Sequence, residues 1–351
     1  MKPCGVDQKA RIFELDILRI VATLGIALFH YTFRGWAADD FSVVKYPILG
    51  SFFKYGYLGL YAFFIMSGFL CAPSLLKKDF FLFWSSRLKR LVPPYWLCVL
   101  IIVVCYHFCS CWFCHYSWKQ LLGSLLFLNF FCDVKYIDHA HWYIFYLVKF
   151  YFLVSLFIFI RSKIDFDVFL CLYIGIFAIT EFFLGKLSFL FDRNFFIFFL
   201  LGLSFYSLYA KSFSYLRIIN LLLGFVFAIF SVQNMRLNMI KHYGHDFSIF
   251  IILGFIFLLY LFFLLLSLRP NFGFKIHPVF LVLSACSYPF YLLHHNLGFF
   301  LINKLSLYFN KYLLILIVLF VVFVLSYLVY FILSFVEKKL ILLGRRESNV
   351  V

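Results

Sequence analysis

Few side chains in this 351-residue sequence could do chemistry, and most of them interrupt apolar stretches. An ionisable group at membrane depth costs several kcal/mol by most scales, so each needs a partner or a purpose. His30 lies toward the end of the apolar run Leu15–Phe33. Imidazole is the usual general base near neutral pH. Asp16 and Arg19, at the start of the same run, are three residues apart, share a helix face and can pair. His30 lies about 16 Å further along that helix, close to three turns on, so Arg19 and His30 point to a similar side. In Phe83-Trp84-Ser85-Ser86-Arg87-Leu88-Lys89-Arg90-Leu91-Val92-Pro93, helical spacing puts Arg87 and Arg90 on one face, with Pro93 expected to close that turn. Their forked donors suit phosphate.

Further on, His139-Ala140-His141-Trp142-Tyr143 opens another apolar run. Lys149 sits about two turns into it, with Glu181 of the following run as a candidate partner. Near the C-terminus, Ser287-Tyr288-Pro289-Phe290-Tyr291-Leu292-Leu293-His294-His295 carries a proline expected to kink its helix. Adjacent residues of one helix point apart, so at most one of His294 and His295 is expected beside His30. Structural readings stand next to these. Asp16 and Arg19 could be an interfacial ion pair, Arg87 and Arg90 topological anchors, and Trp142 and Tyr143 interfacial aromatics. Gly56-Tyr57-Leu58-Gly59 and Ser67-Gly68 read as close helix packing.

The elements that hold these residues follow from composition. Hydrophobic types make up 65% of the chain and charged types 13%, with 55 Phe and 24 Tyr. Soluble domains carry roughly 45–50% apolar and 25% charged residues, so a water-soluble fold is excluded, and disorder with it. Barrel strands alternate in polarity, whereas runs such as Ile249–Leu266 and Val318–Val329 are continuous. The expected fold class is therefore all-α, a polytopic bundle. About ten segments approach the roughly 20 residues needed to span: 15–33, 56–73, 91–108, 142–160, 168–185, 195–210, 217–233, 248–267, 279–302 and 312–336. The first is read as a span rather than a cleaved signal. Gln120–Phe131 is too short and reads as re-entrant or interfacial. With no internal repeat and no long polar stretch, residues 1–351 are expected to form one membrane domain.

Lys and Arg are denser in the loops that share a side with the termini, so both termini are expected in the cytoplasm. The net charge of +16 is spread over many short loops. It fits topology and anionic membrane lipid rather than nucleic acid. Cys71, Cys98, Cys171 and Cys286 lie in apolar runs and read as packing residues. The denser stretch His107-Phe108-Cys109-Ser110-Cys111-Trp112-Phe113-Cys114-His115, with Cys132 beyond it, lacks a standard zinc spacing. It leaves a disulfide or no special role open, and no metal is assigned.

Taken in order, Leu15-Asp16-Ile17-Leu18-Arg19 with His30, Gly56-Tyr57-Leu58-Gly59 with Ser67-Gly68-Phe69-Leu70, Arg87-Leu88-Lys89-Arg90 before Pro93, His141-Trp142-Tyr143-Ile144, and Ser287-Tyr288 through His294 resemble the acyltransferase-3 family of bacterial membrane O-acyltransferases. The resemblance is dense over residues 15–160 and rests on one motif in the C-terminal third. It implies about ten spans with cytoplasmic termini in the bacterial inner membrane, and an acyl-CoA donor, usually acetyl-CoA. It also implies a saccharide hydroxyl as acceptor, His30 as the catalytic histidine, and Arg87 and Arg90 on the donor. Asp16 and Arg19 join His30 as candidate catalytic residues. Lys149 is a candidate donor contact, and Trp142, Tyr143 and His294 are candidate substrate contacts. Many members carry two acids and a glutamine where this chain has Leu147, Val148 and Lys149, and forms fused to an extra periplasmic domain also exist. A polytopic transporter or flippase for a lipid-linked sugar is the alternative. It is expected to show repeats or paired broken helices.

Overall fold

In the computed structural model of the protein, residues 12–108, 116–129, 132–182, 191–211, 213–268 and 277–348 are described, and every regular element among them is helical. In chain order these are α1 Phe13–Phe29, α2 Pro47–Phe53, α3 Gly59–Lys77, α4 Phe80–Phe108, α5 Trp118–Leu125, α6 Trp142–Ser155, α7 Phe157–Ile160, α8 Phe166–Phe182, α9 Phe196–Ala210, α10 Tyr215–Tyr243, α11 Ile249–Leu268, α12 Pro278–Leu293, α13 Asn296–Leu305 and α14 Lys311–Ser348. Among the described residues, six stretches are long and apolar enough to cross a membrane: Pro47–Lys77, Phe80–His107, His139–Ile160, Tyr215–Tyr243, Ile249–Leu268 and Lys311–Lys339. α9 and α12 are apolar but shorter.

Each expected segment falls on a helix, and two boundaries are corrected. The third was expected at 91–108, with Pro93 closing a preceding turn. Instead α4 runs unbroken from Phe80 through Pro93 and Pro94. Proline lowers the propensity for helix but does not end it here, and the apolar run after Pro94 continues it to Phe108. The ninth was expected as one helix kinked at Pro289. It is two helices: Pro289 lies inside α12, and the chain breaks at His294–His295 before α13. Within Gln120–Phe131, residues up to Leu125 belong to α5, which starts with a capping box from Ser117 and Gln120. The dense stretch Cys109–His115 lies outside the described residues. Cys71, Cys98 and Cys286 are buried, as packing residues are.

The chain divides into two compact units. The first comprises residues 1–26, 55–84 and 146–276. Its centre is α9, apolar on every side, as a helix surrounded by others must be. α3 and α9 approach at two glycines. A Cβ on Gly68 would sit 2.1 Å from the Phe199 carbonyl oxygen, and one on Gly202 would sit 2.0 Å from that of Ile65. The packing reading of Ser67-Gly68 holds here. α11 buries Ile252, Ile256, Leu259, Phe263 and Leu266 at helical spacing and leaves Phe250, Phe257 and Leu258 exposed. An apolar helix with an exposed apolar face suits a lipid solvent.

The polar anchor of this unit is Asp167, which accepts from Ser207 and, at 2.9 Å, from Arg217 Nε. Asn220 Nδ2 donates to the Asp167 carbonyl oxygen at 2.8 Å. All four side chains are buried, and the network ties α8, α9 and α10 together. Removing one partner of a buried ion pair costs about 3–5 kcal/mol. Asp167→Ala is therefore expected to lower the thermal midpoint of the detergent-solubilised protein sharply, while Asp167→Asn costs less because it still accepts from Ser207. Equal midpoints for wild type and Asp167→Ala would contradict the assignment.

The second unit comprises residues 27–54, 85–145 and 277–351. α14 buries Leu314, Val318, Val322, Ser326 and Val329 along one stripe and packs against α12 and α13. The turn after α1, His30–Arg34, is a π-helix in which Gly35 N–H donates to the His30 carbonyl. Such turns are rare and recur at functional sites. His30, His139, His141, His294 and His295 belong to this unit.

Candidate active site

His30, His294 and His295 are buried in the second unit, and His139 lies exposed at its edge. His30 Nδ1 is 2.8 Å from His294 Nε2. The His30 and His295 rings meet edge to face, with centroids 4.7 Å apart, and His295 stacks on His139 at 5.4 Å. Both adjacent histidines therefore contact His30, which corrects the expectation that at most one would. That expectation assumed a continuous helix. The break after Leu293 puts His294 at the end of α12 and His295 in front of α13, so their rings are no longer held at the helical angle.

Hydrogen-bond partners assign the ring protons. The Tyr291 carbonyl oxygen, 2.7 Å from His294 Nδ1, can only accept, so that nitrogen carries hydrogen. Neutral His294 then offers a bare Nε2, to which His30 Nδ1–H donates. His30 Nε2 is left with its lone pair. The Arg34 guanidinium, which can only donate, lies 3.3 Å from it. Arg34 Nε is in turn bonded to Asp39 Oδ2 at 2.5 Å. Tyr31 O–H donates to the His294 carbonyl at 2.6 Å and fixes the same turn from α1's side. What results is an oriented base, with one nitrogen anchored through a second imidazole to a backbone carbonyl and the other carrying no hydrogen and facing the Arg34 guanidinium.

A second network holds His295. Tyr106 O–H donates to the Ile137 carbonyl, so the tyrosine oxygen accepts from Asn296 Nδ2 at 2.5 Å. Asn296 Nδ2 also reaches the Ile137 carbonyl at 3.2 Å. This fixes the amide orientation, so Asn296 Oδ1 accepts from His295 Nδ1 at 2.6 Å. Asp138, fully buried, accepts from Ala140 N–H at 2.7 Å and Asn296 N–H at 2.8 Å. His141 Nε2 donates to the Leu292 carbonyl at 3.2 Å, with Tyr95 edge-on at 5.0 Å.

The other sequence candidates fall as follows. Arg87 is buried on α4 and Arg90, three residues on, is exposed. Tyr143 is buried against Tyr291, their rings 5.2 Å apart, and Trp142 is half-buried. His294 is the partner of His30 itself. Asp16, Arg19 and Lys149 belong to the first unit. There Arg19 NH1 stands 3.4 Å from Asp16 Oδ1, the expected i,i+3 pair. Lys149 Nζ lies 4.4 Å from the centre of the Tyr146 ring. Glu181 pairs with Arg193 at 2.7 Å rather than with Lys149. Sequence reasoning passed over Arg34, Asp138 and Asn296. The signal for Arg34 was its position four residues after His30.

Residues 12–334, nearly the whole chain, match the acyltransferase-3 family, described as an acyltransferase domain. No curated protein and no solved structure matches the chain.

Burial pushes the Asp138 carboxyl up to about 7, against the pull of the two backbone donors. A carboxyl raised in the folded state holds a proton that the unfolded chain releases near 4. Its contribution to stability is full below that value and is lost as pH rises through 7. The thermal midpoint is therefore expected to fall between pH 5 and pH 8, and Asp138→Asn is expected to flatten that slope. A wild-type midpoint that rises steadily over this interval, with Asp138→Asn following the same curve, would contradict it.

Proposed function

Because the chain belongs to the acyltransferase-3 family and is a multi-pass membrane acyltransferase, we propose that it moves an acyl group, acetyl in the simplest case, from acyl-CoA to a hydroxyl of a cell-surface or lipid-linked saccharide. The observation that carries this reading is the bare Nε2 of His30, held in place by His294. Acyl transfer from a thioester needs a base for the acceptor hydroxyl. His30 Nε2 takes that proton as the hydroxyl oxygen attacks the thioester carbon. Collapse of the tetrahedral intermediate breaks the C–S bond, and the departing sulfur takes the proton from the imidazolium. The products are the ester and free CoA, and His30 returns to its starting form. Arg34, bonded to Asp39 and within reach of His30 Nε2, supplies a fixed positive charge beside the developing oxyanion.

Arg87 and Arg90 on α4 are the proposed contacts for the phosphates of CoA, by virtue of their forked donors. Trp142 and Tyr143 are proposed substrate contacts, and Lys149 a further donor contact. Asp16 and Arg19 are proposed to support catalysis from the inner end of α1. The proposed topology is about ten spans with both termini cytoplasmic, in a bacterial inner membrane. Donor would enter from inside and acceptor from outside.

His30→Ala is expected to abolish O-acylation while the protein still accumulates in the membrane. The readout is mass spectrometry of envelope glycans from cells expressing each variant. Glycan ester at the wild-type level in that variant would refute the function proposed for His30. His294→Ala is expected to lower turnover about 10²–10⁴-fold, the usual worth of positioned acid–base catalysis. His294→Gln, which keeps an acceptor for His30 Nδ1–H, should recover part of it. Equal turnover for His294→Ala and wild type would remove His294 from the mechanism.

A further inference from the structure

His295 has a feature that the proposed chemistry leaves unused. Its Nδ1 is committed to Asn296 Oδ1, so its Nε2 is bare. That nitrogen is fully buried and has no hydrogen-bond partner among the described residues. Leaving a buried acceptor unsatisfied costs free energy unless something else fills the role. The protein fixes this ring with care. Phe41 packs edge-on at 5.2 Å, Phe299 at 5.0 Å, and His139 stacks on it. Because His139 is exposed, the stack runs from the surface of the unit inward to His30.

We infer that His295 Nε2 is a binding group for the acyl acceptor, taking a hydrogen bond from a hydroxyl adjacent to the one that reacts at His30. Two neighbouring imidazoles, each with an Nε2 that carries no hydrogen, His30's beside Arg34 and His295's unpartnered among the described residues, suit a ligand with two neighbouring O–H donors. That is a vicinal diol, as saccharides carry. One hydroxyl gives its proton to His30 and the other is held at His295. The assignment rests on the acyl-transfer reading and adds to it a preference for polyols over simple alcohols. An amide N–H of the donor's pantetheine arm is the competing partner for this nitrogen, and the experiment separates the two.

Asparagine and glutamine each copy one half of the ring. His295→Asn keeps a donor for Asn296 Oδ1 and removes the ε acceptor. His295→Gln places an amide oxygen near the lost Nε2 and gives up the δ donor. Glycan ester is measured in cells whose native copy is replaced, normalised to membrane-embedded protein. The dissociation constant for acetyl-CoA is measured on the full-length protein in lipid nanodiscs. The expected result is a loss of ester of about 10-fold or more in His295→Asn, retention within about 3-fold in His295→Gln, and unchanged acetyl-CoA binding in both. The opposite order overturns the inference, because it makes the Asn296 bond the important one. Loss in both variants, loss in neither, or failure of His295→Asn to accumulate also overturns it. Acetyl-CoA binding weakened 10-fold in His295→Asn moves the nitrogen to the donor and overturns it as well. The underlying reading is judged separately by His30→Ala, whose glycan ester does not depend on His295.

Discussion

The site depends on the direction of one hydrogen bond. The Tyr291 carbonyl cannot donate, so the proton on His294 is fixed, and with it the roles of both nitrogens of His30. That carbonyl is available because Tyr291 lies in the last turn of α12, where carbonyls lack intrahelical donors. A helix end thus does for His30 what a carboxylate often does for a catalytic histidine. It orients the ring and chooses the tautomer. It does so without placing a negative charge in a buried site.

The two units solve the same problem of buried polarity differently. In the first, Asp167 and Arg217 face each other as ions, with Ser207 and Asn220 completing the set. Such a pair is stable when complete and costly when broken, which suits a structural tie. In the second, the buried groups around His30 are imidazoles, an amide, a tyrosine and one carboxyl capped by two backbone N–H groups. Neutral groups cost less to desolvate than ions. They also retain basic nitrogens, which a satisfied ion pair does not. The guanidinium nearest His30 is charged, but it is only part-buried and already neutralised by Asp39.

The long apolar runs made the helices legible in the sequence, because a membrane demands continuous apolarity and the side-chain pattern shows it directly. The start of α4 was misplaced because Pro93 was weighed as closing a turn, and the ninth segment was read as one helix where there are two. Pro93, Pro94 and Pro289 all lie within helices. The break that matters falls at His294–His295, where no glycine or proline marks it. His30 and His294 were legible as polar intrusions at membrane depth. Arg34 was passed over because a cation at the end of a span is ordinary, although its place four residues after His30 already puts the two side chains on one helix face. Asn296 and Asp138 lie 158 residues apart in sequence, and their pairing is a property of the fold alone.

Two glycines explain how rings from distant parts of the chain come within bonding range. A Cβ on Gly35 would meet the Phe299 ring at 2.3 Å, and a Cβ on Gly298 would meet the Tyr31 hydroxyl at 2.2 Å. Each glycine accepts an aromatic side chain from the other's helix, so the end of α1 and the start of α13 are clamped at two points. Between those points lie Tyr31's bond to the His294 carbonyl and the ring contacts of His30 with His294 and His295. A methyl group at either position would collide with that ring or hydroxyl, so one or the other must shift. Tyr31 is the side chain that would move at Gly298, and its bond to the His294 carbonyl is what fixes the turn carrying the His30 partner. Close packing and the orientation of the base are therefore linked through one tyrosine.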